Sequence, residues 1–181
     1  MAVVADTCGV VQHQYADDMQ LYITKSKMSS ANAIVQLQNC VTALHQWFAE
    51  NGLALNPDKS EAVLFSTSQR AKGLSVISTI DAAGSTVALF SKIKLLGVTL
   101  DENLNFNYQV KNVCRALFFH IRALRLIRPS LTEEMANVVA CVRVQSRVDY
   151  ANSLYTGMSS VNFDKLQLVQ NTLACVVTLT R

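Results

Sequence analysis

The 181-residue chain has no apolar run approaching the roughly 18 residues that span a bilayer. A helical membrane anchor is therefore not expected, although half of the residues are hydrophobic, 16% are charged and mean hydropathy is +0.22. The first residues, Met1-Ala2-Val3-Val4-Ala5-Asp6, lack the basic start and long apolar stretch of a secretory signal. An intracellular setting, nuclear or cytoplasmic, is the expectation. No CxxC occurs among Cys8, Cys40, Cys114, Cys141 and Cys175, and no histidine stands at ligand spacing from them. That argues against a zinc site and a disulfide frame, and for free thiols acting as small buried hydrophobes with no disulfide-linked partner. Internal repeats and low-complexity segments are also missing. What remains is a chain long enough for one large or two small domains, with apolar residues to bury or to cover.

Acidic residues are unevenly missing. Residues 1–90 carry five Lys/Arg against seven Asp/Glu, and residues 91–181 carry eleven against six. This asymmetry fits a metal-binding first part and a polyanion-facing second part. The segment 105–127 has no acidic residue at all.

Along the chain, residues 2–8 read as helix turns stopped by Gly9. Strands are expected at about 10–14 and 19–24, with Ala16 and Asp17 as central turn residues. Neither is the Gly or Asn that a tight hairpin favours, so a strained backbone is expected there. Ser29 and Ser30 offer an N-cap for a helix to about Asn51, stopped by Gly52. Its apolar stripe is Ile34, Leu37, Val41, Leu44, Trp47 and Phe48. A turn at Asn56-Pro57-Asp58, a strand at 62–66, a loop at 67–73 and strand-like runs at 76–80, 86–90 and 94–100 follow. The pattern then turns helical: 105–127, a break at Pro129, a Ser130-x-x-Glu133 capping box opening a helix to about Arg147, and a third helix after Ser159-Ser160. The fold class is α+β, with a small three-helix bundle after a boundary near residue 101.

Two groups could carry chemistry. Asp17 and Asp18, at a hairpin tip, suit a hard divalent cation such as Mg²⁺. Adjacent residues on a strand point to opposite faces, so Asp17 is expected as the principal ligand and Asp18 as the secondary one. A solvated acidic turn is the alternative. On the 105–127 helix, at roughly 100° per residue, Lys111, Arg115, Arg122 and Arg125 fall within about 80° of arc, opposite Val113, Leu117, Ile121 and Leu124. A purely basic face with no acid nearby suits phosphates, and the alternative is a solvated face.

The string His13-Gln14-Tyr15-Ala16-Asp17-Asp18-Met19-Gln20-Leu21-Tyr22 resembles the Tyr-x-Asp-Asp box of reverse transcriptases, in the form found in LINE-type, non-LTR retrotransposons. Gly52–Glu61, Leu95–Asp101, Ser146–Leu154 and Leu166–Asn171 resemble later segments of the same family, in the same order. The resemblance implies an antiparallel polymerase palm with one packed helix over 1–100 and a helical thumb over 101–181. It implies RNA-templated DNA synthesis with two Mg²⁺ ions, metal held by Asp17 and Asp18, and nucleotide contacts from Tyr15 and Ala16. Lys59 would approach the phosphates as a general acid toward pyrophosphate, or else be a solvated loop lysine. Leu96 and Gly97 would lie in a hairpin gripping the primer strand, with Gly97 allowing close approach of a nucleic-acid backbone or else marking a bulge. RNA template, DNA primer and nucleoside triphosphates would be the partners, with no membrane.

The pattern is departed from where Cys175 stands in place of an expected basic residue. The family also draws another metal-binding Asp from an earlier strand, which nothing in these 181 residues resembles. The expectation for the isolated chain is therefore no polymerisation. The competing expectation is a catalytically inactive nucleic-acid-binding remnant that uses the basic helix.

Overall fold

A computed structural model describes residues 2–24, 30–67, 69, 79–82 and 84–180, in two compact units, Met1–Ser91 and Lys92–Arg181. The chain is mixed helix and sheet, as the α+β reading expects.

In the first unit, α1 (Ala2–Thr7) ends where Gly9 turns left-handed at φ +66. The Val10 N–H then reaches the Ala5 carbonyl at 3.0 Å and the Gly9 N–H reaches that of Asp6 at 2.9 Å. These bonds satisfy carbonyls that the helix end leaves open, and they bring buried Ala5 against buried Val10. Helix α2 (Ser30–Glu50) stops the same way at Gly52 (φ +70), with Leu53 N–H on the Phe48 carbonyl at 2.8 Å. Ser29, half of the expected cap, lies outside the described residues.

Between these helices runs a hairpin of β1 (Val11–Tyr15) and β2 (Asp18–Tyr22), in register from Val11↔Tyr22 to Tyr15↔Asp18. Met19 and Leu21 pack with Leu37, Cys40, Leu44 and Phe48 of α2 into one small core. Trp47, expected in the core, is half-buried and edge-on to Phe48. Burial, and then the neighbouring Cys8 thiol, push the Cys40 thiol up to about 11, so it sits in this core as an uncharged thiol.

A second sheet has the order β3 (Ala62–Val63), β5 (Ser85–Phe90), β4 (Thr79–Ala82), and α2 packs against β4. A single antiparallel sheet was the expectation. Among the described residues the strands instead form separate small ladders, and β3 pairs with β5 in parallel. The strand read at 62–66 shortens to two residues. Most of the loop read at 67–73, and 76–78 of the next run, lie outside the described residues.

The second unit begins with β6 (Lys92–Leu95) and β7 (Val98–Asp101), paired from Lys92↔Asp101 to Leu95↔Val98. The run 94–100, read as one strand, is therefore folded back at Leu96-Gly97. Because Leu100 packs into the helical core, this hairpin groups with the helices, and the division between units falls at Ser91/Lys92 rather than near 101.

Helix α3 (Asn107–Ile127) buries Val110, Cys114, Leu117, Ile121 and Leu124. After a 3₁₀ turn at Arg128–Ser130, α4 (Glu133–Ala140) is capped by Thr132, whose hydroxyl accepts the Met135 N–H at 3.2 Å. The cap is thus two residues later than the Ser130 box, because Ser130 is taken up by the turn around Pro129. A π-helical turn, Cys141–Gln145, then leads into α5 (Ser146–Asp149).

The π turn has a packing cause. Buried Ala136, Ala140, Val144 and Val148 recur every four residues, which drifts about 40° per step on a regular α-helix. The wider turn rotates the last two back toward the core. Helix α6 (Ser160–Thr178), capped by Ser159, closes the unit with Leu166, Val169, Leu173 and Val176. Among the described residues, no helix is long and apolar enough to cross a membrane.

Candidate functional site

The acidic tip is built by a two-residue turn. Ala16 takes the left-handed conformation at φ +53, which costs an L-residue roughly 1–2 kcal/mol. The strain expected from the absence of Gly or Asn is thus present, and the Gln14 side chain steadies the turn by donating to the Ala16 carbonyl at 2.9 Å.

The pairing puts Val11, His13, Tyr15, Asp18, Gln20 and Tyr22 on one face and Gln12, Gln14, Met19 and Leu21 on the other. Met19 and Leu21 anchor the second face to the core, so the first is turned outward. Tyr15, Asp17 and Asp18 are exposed. On the outward face the His13 and Tyr22 rings stack at 5.5 Å, and His13 Nε2 and the Tyr22 hydroxyl share a hydrogen bond of 2.9 Å. This diagonal brace stiffens the strands that carry the acids.

Two hard oxygen donors on a stiff, solvent-facing tip are compatible with Mg²⁺, which keeps part of its water shell and takes one or two carboxylates. No group of three or more His, Cys, Asp or Glu side chains suited to a metal ion gathers among the described residues.

Lys59 ends the 3₁₀ turn Pro57–Lys59, held by Asn56 Oδ1 accepting the Asp58 N–H at 3.0 Å and by Ser60 N–H on the Pro57 carbonyl at 3.0 Å. The turn expected at Asn56-Pro57-Asp58 is thus present, and it carries Lys59 with an exposed amine. Among the described hydrogen bonds and ion pairs, none joins Lys59 to Asp17 or Asp18.

In the second unit Leu96 (φ +45) and Gly97 (φ +84) are both left-handed at the β6–β7 tip. The turn alone accounts for the glycine, since a Cβ there would meet only the Tyr150 ring, at 3.7 Å. Tyr150 also donates its hydroxyl to the Leu96 carbonyl, fastening the tip to the end of α5. Tyr150→Phe is expected to lower stability by about 1 kcal/mol in urea unfolding. An unchanged midpoint would mean that the hydroxyl does not hold the turn.

Beside this tip lies a groove of about 260 Å³, lined among others by Lys94, Thr99, Asn112, Val113 and Arg147, with no acidic residue. Gln109 secures its wall by accepting the Thr99 N–H at 2.8 Å. His120, further along α3, is held below its ordinary pKa by burial and then by Arg147 and Arg143. The π turn thus delivers two guanidiniums to the flank of α3. Sequence patterning did not find this cluster, because a regular helix does not relate Arg143 and Arg147 to α3. The unbroken four-residue repeat Ala136, Ala140, Val144 and Val148 was the available signal.

Lys111, Arg115, Arg122 and Arg125 are all exposed on α3. Their face is not purely basic, however: Phe118 and Phe119 are 37% and 68% exposed between them, with Tyr108 at the near end. Lys92 of β6 sits over the Tyr108 ring, 4.4 Å from its centroid, and adds a fifth cation.

Residues 2–100 match the family profile described as reverse transcriptase (RNA-dependent DNA polymerase). A Drosophila melanogaster protein named "Probable RNA-directed DNA polymerase from transposon BS" is 26% identical over 172 residues. That alignment covers 93% of this chain and 18% of the Drosophila protein, so the chain spans under a fifth of that relative's length. No solved structure matches the chain.

Proposed function

The chain belongs to the reverse transcriptase family, and from that membership we propose that it forms part of an RNA-directed DNA polymerase of a non-LTR retrotransposon. Residues 1–100 would be the later part of the palm and residues 101–181 the thumb. The observation that carries the reading is the outward acid pair, Asp17 and Asp18, on a braced hairpin inside the matched segment.

Asp17 is the principal metal ligand in this reading and Asp18 the secondary one. Bound Mg²⁺ would supply charge neutralisation of phosphate oxygens during nucleotidyl transfer. Tyr15 and Ala16 line the nucleotide position, and Lys59 meets its phosphates and, as a general acid, donates its ammonium proton to the leaving pyrophosphate. The Leu96-Gly97 tip and the Lys111, Arg115, Arg122 and Arg125 face hold an RNA template and a DNA primer. Two-metal transfer needs more carboxylate ligands than the tip supplies, so the chain of 181 residues by itself is expected to bind nucleic acid without polymerising.

A second reading, a nucleic-acid-binding remnant without activity, is favoured by the same cationic face; binding tests what the two readings share, and nucleotide incorporation is what separates them. Salt-dependent binding to an oligonucleotide is measured for the whole chain, for Asp17→Asn, and for a variant with all four cations changed to Gln. The expected results are an unchanged affinity for D17N and a salt slope shallower by about three for the fourfold variant. A slope that does not change would remove the phosphate assignment. Template-dependent nucleotide incorporation by the whole chain would remove the expectation of inactivity and exclude the remnant reading.

A further inference from the structure

We propose that Cys8 and Cys40 form a peroxide-sensitive thiol pair, which oxidation converts to an intrachain disulfide fastening the base of the β1–β2 hairpin to α2. Neither residue takes part in the polymerase reading above. Cys8 directly follows α1, and Cys40 lies near the middle of α2, fully buried in the small core beneath the hairpin. Cys8 packs against that core but is itself only half-buried, so one sulfur is open to small solutes and the other is not. A side-chain hydrogen bond joins the two thiols. The remaining cysteines, Cys114, Cys141 and Cys175, all belong to the second unit.

The backbone at Cys8 is held from both sides. Its N–H donates to the Val4 and Ala5 carbonyls at 3.3 and 3.1 Å, and its carbonyl accepts Gln36 Nε2 at 2.7 Å. Gln36 stands one helical turn before Cys40 on the same face of α2, so the amide that catches the end of α1 also sets Cys8 against Cys40. Gly9 permits the close approach, since a Cβ there would come within 2.7 Å of Gln36 Nε2. Packing alone asks for two small side chains at these positions. It does not ask that both be thiols, nor that the sulfurs meet.

The reactant class is a small hydroperoxide, and the two positions assign the roles. The Cys8 thiolate attacks one peroxide oxygen, the O–O bond breaks, and the leaving hydroxide takes up the thiol's proton as water, so that Cys8 becomes a sulfenic acid. Cys40 then gives up its proton and attacks the Cys8 sulfur. The S–S bond forms, the S–O bond breaks, and the departing hydroxide leaves as a second water. Two thiols and one peroxide thus yield one disulfide and two waters. Cys40 does not act first, because burial, and then Cys8, push its thiol up to about 11 and keep it protonated. Once Cys8 carries oxygen, its charge no longer opposes ionisation of Cys40. The new bond encloses residues 9–39, with the hairpin and both tip acids inside the loop, and so restrains the unfolded chain.

In the experiment the whole chain is treated with hydrogen peroxide, denatured in an alkylating agent, digested with trypsin without reductant and read by mass spectrometry. Trypsin cuts after Lys25 and Lys27, so the Cys8 and Cys40 peptides stay together only through a disulfide. The expected result is a linked Cys8–Cys40 species from chains that run as monomers without reductant, with loss of both free thiols and their return in dithiothreitol. The oxidised chain should have a higher urea midpoint than the reduced one. In Cys8→Ser, a change at a half-buried position, Cys40 should stay reduced at the same peroxide dose. Three results would each overturn the proposal in the native sequence: Cys40 alkylated in full after peroxide, Cys8 linked to Cys141 or Cys175 as often as to Cys40, or an oxidised midpoint at or below the reduced one. Oxidation of Cys40 in Cys8→Ser would overturn the assignment of Cys8 as the thiol that meets the peroxide.

Discussion

Asp101→Ala is expected to destabilise the helical unit by about 3 kcal/mol, read as a fall in the urea midpoint followed by circular dichroism. Asp101 is 3% exposed at the end of β7, and its carboxylate accepts three backbone N–H groups. Oδ1 takes Asn103 at 3.2 Å and Asn105 at 3.1 Å, and Oδ2 takes Phe106 at 3.0 Å. These donors belong to the turn that enters α3, where helix-start amides lack intrahelical partners and a negative charge is favourable.

The turn is strained, with Leu104 at φ +52 and Phe106 at φ +59, each disfavoured for an L-residue by roughly 1–2 kcal/mol. From the other side, fully buried Asn162 donates to the Asn105 carbonyl at 3.1 Å and to Asn107 Oδ1 at 2.9 Å. Alanine would take away the shared acceptor of three backbone N–H groups, the one on buried Phe106 among them. Asp101→Asn keeps one acceptor and the shape, so its loss should fall between the native protein and the alanine variant. An alanine variant within 0.5 kcal/mol of native, on the scale of an ordinary surface substitution, would show that the turn does not depend on the carboxylate.

The elements that could be read ahead of the structure are those whose local and tertiary preferences agree. Gly9 and Gly52 stop helices because left-handed carbonyl capping is a short-range affair, and the stripe of α2 has one solution. The acid pair was legible as a tip because apolar runs bracket it. Asp101 was not legible as a cap, since nothing in its neighbours predicts two left-handed residues after it.

Leu96 hid the β6–β7 turn for a similar reason. Leucine rarely sits left-handed, so the run 94–100 reads as continuous in sequence, whereas the turn is held by Tyr150, 54 positions away. Phe118 and Phe119 fall among or beside the cations at about 100° per residue, so the mixed character of the α3 face was legible in the spacing itself. The third carboxylate expected of the metal site depends on a strand that these residues do not resemble, so only the tip itself was open to reading.

Arg128 carries the second large effect. Its Nε and Nη2 donate to the Val177 carbonyl at 2.9 and 2.7 Å, its Nη1 to the Leu131 carbonyl at 2.9 Å, and the residue is 6% exposed. None of these bonds goes to a carboxylate. The compensation for the buried guanidinium comes from the last turn of α6, where carbonyls lack partners and the helix end is negative. Arg128→Met fills much of the volume but leaves both carbonyls without donors. The expected loss is about 3 kcal/mol in urea unfolding, with the far end of α6 exchanging its amides faster.

Arg128→Lys separates charge from shape. An ammonium keeps the attraction to the helix end but cannot place parallel donors on Val177 while also reaching Leu131, so roughly half of that loss is expected. Removing a buried cation also removes its desolvation cost, and apolar replacements of buried ionic groups are in some proteins neutral or stabilising. The methionine variant therefore decides the sign. If it unfolds at the native midpoint, the burial cost of the guanidinium equals what its three hydrogen bonds contribute, and α6 is held by its apolar face alone. If it falls while lysine falls by half as much, the fork of donors is what ties the end of α6 to the turn after α3.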